Sequence, residues 1–222
     1  MTVLHLADDG EAADLAAFLS RLLRYDRSAA VRLQAAGTAL AVFGRPPSFE
    51  VLAIRAVRLA KPYEDGLDVT LDVTVSAGEL LESVDERSAT AAVPGAVTGP
   101  PWAGVLPPRG GWRAEPGLPG PRELRATVAA AVGEFRSRTE ELAADGRTRA
   151  ELDRIGRDIW SRTVGDTRLP VRAVHAAQSL GFLRPDDEAV LLSAGAWLRL
   201  RTPFGSIAVR RAGLGALDVS VR

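Results

Sequence analysis

Leu67-Asp68-Val69-Thr70-Leu71-Asp72-Val73-Thr74-Val75 is the most regular stretch of the chain. Apolar residues at odd positions alternate with polar ones at even positions. That period of two marks a β-strand with one buried and one solvated face. A strand covered on both faces, as in a parallel sheet sandwiched by helices, reads as an unbroken apolar run instead. The stretch therefore points to an α+β fold with mostly antiparallel sheet and packed helices, not to a doubly wound parallel sheet.

Working outward, Ser76 followed by Glu79 predicts a capped short helix over 77–84. On the other side, Asp65-Gly66 makes a turn, and 49–60 (FEVLAIRAVRLA) reads as a strand with a wet face marked by Arg55 and Arg58. Residues 30–45 alternate around Gly37-Thr38 and read as a hairpin. Residues 2–6 form a short first strand. A helix over 11–25 places Leu15, Phe18, Leu19, Leu22 and Leu23 on one face, behind the acidic start Asp8-Asp9-Gly10-Glu11. In element order alone, the first 85 residues resemble one repeat of a processivity clamp, and order confers no function.

Residues 93–121 break the pattern. They hold eight of the 14 prolines and seven of the 21 glycines, with Trp102 and Trp112 among them. Two tryptophans are out of place in a free linker, so the segment reads as an ordered strap with both indoles largely buried. Helices are expected over 121–144, 149–163 and 170–180, the last opened by Pro170 and closed by Gly181. Strands follow at 190–192, 197–201, 207–209 and 217–221. The organisation read from this pattern is an N-terminal α+β unit over 1–92, a strap over 93–120, and a C-terminal helical segment over 121–222 ending in antiparallel strands.

Composition narrows the chemistry. The chain of 222 residues has 46% hydrophobic and 25% charged residues, ordinary globular usage. With no cysteine there is no disulfide, no catalytic thiolate and no cysteine-ligated metal. The N-terminus turns acidic at once and lacks a basic leader, and no apolar run spans a membrane, so the expectation is a soluble cytoplasmic protein without membrane contact. The formal net charge is zero, but residues 1–110 carry −4 and residues 111–222 carry +4. Lys61 is the single lysine among 28 basic residues, and the arginine excess fits a GC-rich coding bias better than selection for phosphate binding.

Catalytic motifs are missing. There is no phosphate-cradling glycine loop, no HExxH and no GxSxG elbow. His5 lies in a strand and His175 in a helix, each among apolar neighbours, where structural roles are commoner. The carboxylates at Asp8-Asp9-Glu11, Asp68/Asp72 and Asp186-Asp187-Glu188 fit a helix start, a wet strand face and a turn. No catalytic, cofactor-binding or metal-binding residue is assigned. The reading is a non-catalytic interaction or regulatory protein with a protein partner or a second copy of itself.

Two alternatives are kept. One is an enzyme built on carboxylates. The other is DNA binding: helix, helix and hairpin over 149–211 follow the order of a winged helix, with Arg172 and Gln178 on the helix and Arg199, Arg201, Arg210 and Arg211 on the wing. That alternative requires these residues to share one exposed face.

Overall fold

The computed structural model describes residues 2–60, 71–143 and 146–211. The chain is α+β, and every strand pair among the described residues is antiparallel. The strands are β1 Val3–His5, β2 Ala30–Ala36, β3 Ala39–Gly44, β4 Leu52–Arg58, β5 Asp72–Ser76, β6 Val84–Asp85, β7 Thr90–Ala92, β8 Arg113–Ala114, β9 Val190–Ala194, β10 Trp197–Thr202 and β11 Gly205–Arg210. The helices are α1 Asp9–Tyr25, α2 Ala77–Glu82, α3 Pro121–Glu140, α4 Arg149–Trp160 and α5 Val171–Ser179.

Local chemistry explains the boundaries. The Asp8 carboxylate accepts the Glu11 amide and caps α1, Ser76 Oγ does the same for α2 through Glu79, and Thr148 for α4 through Glu151. After α5, Gly181 adopts a positive φ of 76°, a conformation that strains any residue with a Cβ, and a Cβ there would also displace the guanidinium of Arg21. The β5 portion of the alternating stretch behaves as its pattern implies, with Val75 fully buried and Asp72 exposed. Residues 67–70 of that stretch, and the strand expected at 217–221, lie outside the described residues.

Eight strands form one sheet in the order β5-β2-β3-β4-β11-β10-β9-β8, while β1, β7 and β6 make a separate three-stranded sheet. The large sheet is not confined to one half of the chain. β4 pairs with β11 through Ser206–Ile54, Ile207–Ala53 and Ala208–Leu52, so strands from the two ends of the sequence meet at its centre. On its inner face lie Val31, Leu33, Leu40, Val42, Ala53, Val57, Leu198, Leu200, Ile207 and Val209, in one core with the buried residues of all five helices. Phe18 of α1 stacks on Phe182 after α5, with ring centroids 5.5 Å apart, joining the helical layers of the two halves.

One expectation is corrected here. Arg55 does not mark a wet face. It is only 5% exposed, because residues three apart in a strand point to opposite sides and Arg55 falls on the helix side. Its guanidinium donates to Glu11 Oε2 and Asp14 Oδ2 of α1, each at 3.1 Å, and to the Phe204 carbonyl at 2.8 Å. A buried charge is tolerated only when paired in this way.

Candidate functional site

Position parity puts a second set of side chains on the outer face of the large sheet. Phe43, Leu52, Ile54 and Ala208 form a small apolar cluster there, and Trp102, Leu106 and Trp197 pack on it. The proline-rich segment covers this cluster. Its Val97 amide bonds the Thr74 carbonyl at the β5 edge, the Ala103 carbonyl accepts from Arg32, and the Glu115 amide bonds Leu191 at the far side. The strap thus crosses the outer face from one edge strand towards the other. Trp102 and Trp112 are half-buried rather than enclosed, because a single extended chain shields one side of an indole and leaves the other open.

Two grooves flank Trp102. One, of about 620 Å³, is lined by Asp26, Ser28, Arg45, Ser76, Thr98 and Trp102. The other, of about 370 Å³, includes Arg45, Glu50, Trp102, Trp197 and Arg210. Trp102 and Arg45 line both. Next to them, β10 presents Trp197, Arg199 and Arg201 on its outer side, while Leu198 and Leu200 point into the core.

Two of the arginines here face rings instead of carboxylates. Arg199 lies over the Trp112 ring at 5.6 Å and Arg210 over the Trp197 ring at 5.9 Å, both within cation–π range. The Trp112 indole is itself fixed by a 3.0 Å bond to the Pro108 carbonyl. Among the described residues, no ion pair involves Arg45, Arg199, Arg201 or Arg210. Burial lowers the Arg199 guanidinium from its ordinary value, and the neighbouring positive charge of Arg201 lowers it further. The Arg199 Nε is buried with no acceptor.

The residues considered for a winged helix are not brought together. Arg172 and Gln178 sit on α5, which packs between the inner face of the sheet and the helices α3 and α4. No α5 residue is more than partly exposed. Arg199, Arg201 and Arg210 lie on the opposite face, with the sheet between them and α5. Arg211 is tied to the β9–β10 turn, its amide to Ala196 and its side chain to the Gly195 carbonyl.

Several of the other candidate groups have structural partners, although Arg172 Nε and Gln178 Oε1 are buried without one. His175 is stacked on Trp160 at 4.8 Å and meets the edge of Phe49 at 5.1 Å. Asp72 pairs with Arg32 and Gln34, and Asp186 with Arg122. No group of three or more His, Asp or Glu is placed to hold a metal among the described residues, nor is any described helix long and apolar enough to cross a membrane. Sequence reading missed the part played by the tryptophans beside these arginines. The signal was present in Trp197-Leu198-Arg199-Leu200-Arg201, whose odd positions all face outward.

Comparison with known families divides the chain in two. Residues 1–104 match the model of a domain of unknown function, DUF8010, and residues 107–214 match that of a second domain of unknown function, DUF8185. The junction falls inside the strap, although the large sheet draws strands from both sides of it. No curated protein matches the chain.

Proposed function

We propose that this is a non-catalytic interaction protein of the cytoplasm, which takes hold of a protein partner through the outer face of its large sheet beside the strap. The observation that carries the reading is Arg199, a half-buried cation without a counter-ion among the described residues. Desolvating a charge is costly unless an opposite charge compensates it, and a partner can supply that charge. Arg201 and Arg210 beside it extend the positive surface, and Trp102 and Trp197 add the aromatic area enriched at interfaces. DNA binding by a winged helix is disfavoured, because α5 is enclosed and its arginine lies across the sheet from those of β10 and β11.

The test is capture from native extract with and without nuclease, using the wild-type chain and Arg199→Ala/Arg201→Ala. A protein retained after nuclease and lost with the double variant is the expected result. Retention of nucleic acid alone overturns the reading. Light scattering over a concentration series separates a second copy of the chain from a different partner.

A further inference from the structure

The outer face carries information about its occupant beyond the fact of contact. A guanidinium attracted to an aromatic ring uses none of its N–H donors on a carboxylate and keeps them for one. Arg199 lies 5.6 Å from the Trp112 ring centroid and Arg210 5.9 Å from that of Trp197, within cation–π range. Each ring thus has a cation over it, which disfavours the base stacking by which single strands of nucleic acid are held on sheet surfaces. What the arrangement offers is the terminal N–H groups of the guanidiniums, a pair of which matches a carboxylate in bidentate fashion.

Spacing adds a second constraint. Arg199 and Arg201 are two residues apart on the same side of β10. Their Cα atoms are thus about 7 Å apart, the repeat of alternate side chains in any extended chain. A partner segment in extended conformation presents its own alternate side chains at that interval, whereas a helix presents same-face residues three or four apart.

Resting on the interaction reading above, we infer that the occupant is an extended acidic protein segment with carboxylates at alternate positions, seated on Arg199 and Arg201. Arg210 lies on the neighbouring strand β11, and Arg45, just after β3, lines the second groove beside Trp102 with it. They take further carboxylates at the end of the segment. Glu50, in the second groove, sets its limit, since an acidic residue placed there meets a like charge.

The experiment is fluorescence anisotropy with the full chain and four labelled probes: a peptide alternating Glu and Thr, the same composition with the glutamates in one block, the Gln-for-Glu counterpart, and an oligothymidine of equal charge. The alternating peptide is expected to bind best, and to weaken as salt rises. Arg199→Ala/Arg201→Ala is expected to lose about tenfold or more of the affinity, as for removal of charge-assisted hydrogen bonds. Arg199→Lys keeps the charge but not the fork, and falls between. Arg87→Ala, exposed on the β6–β7 turn, is the control and leaves binding unchanged. Circular dichroism confirms that each variant is folded.

Preference for oligothymidine overturns the proposal, as does equal binding of the alternating and blocked peptides or binding indifferent to the double variant. If the peptides fail while a nuclease-resistant partner is still lost with the double variant, only the chemistry of the partner is overturned. If that capture fails as well, the interaction reading falls with it.

Discussion

Buried Arg55 and partly buried His175 shape how the fold responds to mutation and pH. Arg55 joins β4 to Glu11 and Asp14 of α1 and to the Phe204 turn, so removing it leaves Glu11 dehydrated with Arg58 as its remaining partner. Arg55→Met is expected to cost on the order of 3 kcal/mol, read as a shift of the urea midpoint. Adding Glu11→Gln should recover part of that loss, because the stranded charge goes too. An undiminished deficit in the double variant would mean that the packing of the Arg55 stem matters more than its charge. His175 acts through protons. Burial between Trp160 and Phe49 lowers its pKa below the ordinary value. The unfolded chain then binds a proton at higher pH than the folded one, so stability rises with pH across this interval. The His175 contribution is complete above about pH 6.5, the unfolded value, and is lost as the pH falls below it. The carboxylates held low by arginine, such as Asp72 and Glu134, act on stability only in more acid solution. Thermal unfolding between pH 7 and 5 should fall in midpoint for the wild type and be flatter for His175→Phe. Equal slopes would remove His175 as the cause.

At the scale of elements, the strap is the unusual part. It lacks the periodicity of helix or strand, and is held by the Trp102 contact, the Arg32 bond to Ala103 and short backbone bonds at its two ends. Trp102→Ala removes the largest apolar contact, at a cost of about 2 kcal/mol. It should also make the native protein cleavable between 97 and 112, where the wild type resists limited proteolysis. Cleavage of the wild type at the same rate would show that Trp102 does not fasten the strap. The elements themselves were well marked in the sequence wherever local chemistry defines them. The 3.6-residue pattern and Asp8 located α1, the hairpin turn located β2 and β3, and Gly181 ended α5. The short strands β6 and β8 carried no such mark, because two residues are too few to show a period. Arg55 was misread because a charge inside an apolar run looks like a wet face until its parity and its α1 partners are considered.

For the whole molecule, the decisive feature is the seam where β4 meets β11. Nothing local in either strand announces that pairing, since both are apolar on each side and their partners lie some 150 residues apart. The alternation of β10 was legible, but which face it shared with Trp112 depended on pairings as distant as this one. The seam makes a prediction against the division suggested by the two family matches. Residues 1–104 alone would expose β4 as an open edge, and residues 107–222 alone would expose β11 in the same way. Unpaired apolar edges invite aggregation. The separated pieces would also lose the Phe18–Phe182 stack, the Arg55 bond to Phe204 and the Arg21 bond to Leu180. The intact chain is therefore expected to unfold in one transition, with calorimetric and van't Hoff enthalpies equal. Each piece expressed by itself should be aggregated or unfolded, and co-expression should restore a folded complex. Because the native chain has no cysteine, a pair introduced as Ala53→Cys and Ile207→Cys reports on the seam directly. Two resolved transitions in the intact chain, or a well-dispersed NMR spectrum from residues 1–104 alone, would show that the halves are independent domains and that the β4–β11 pairing is dispensable.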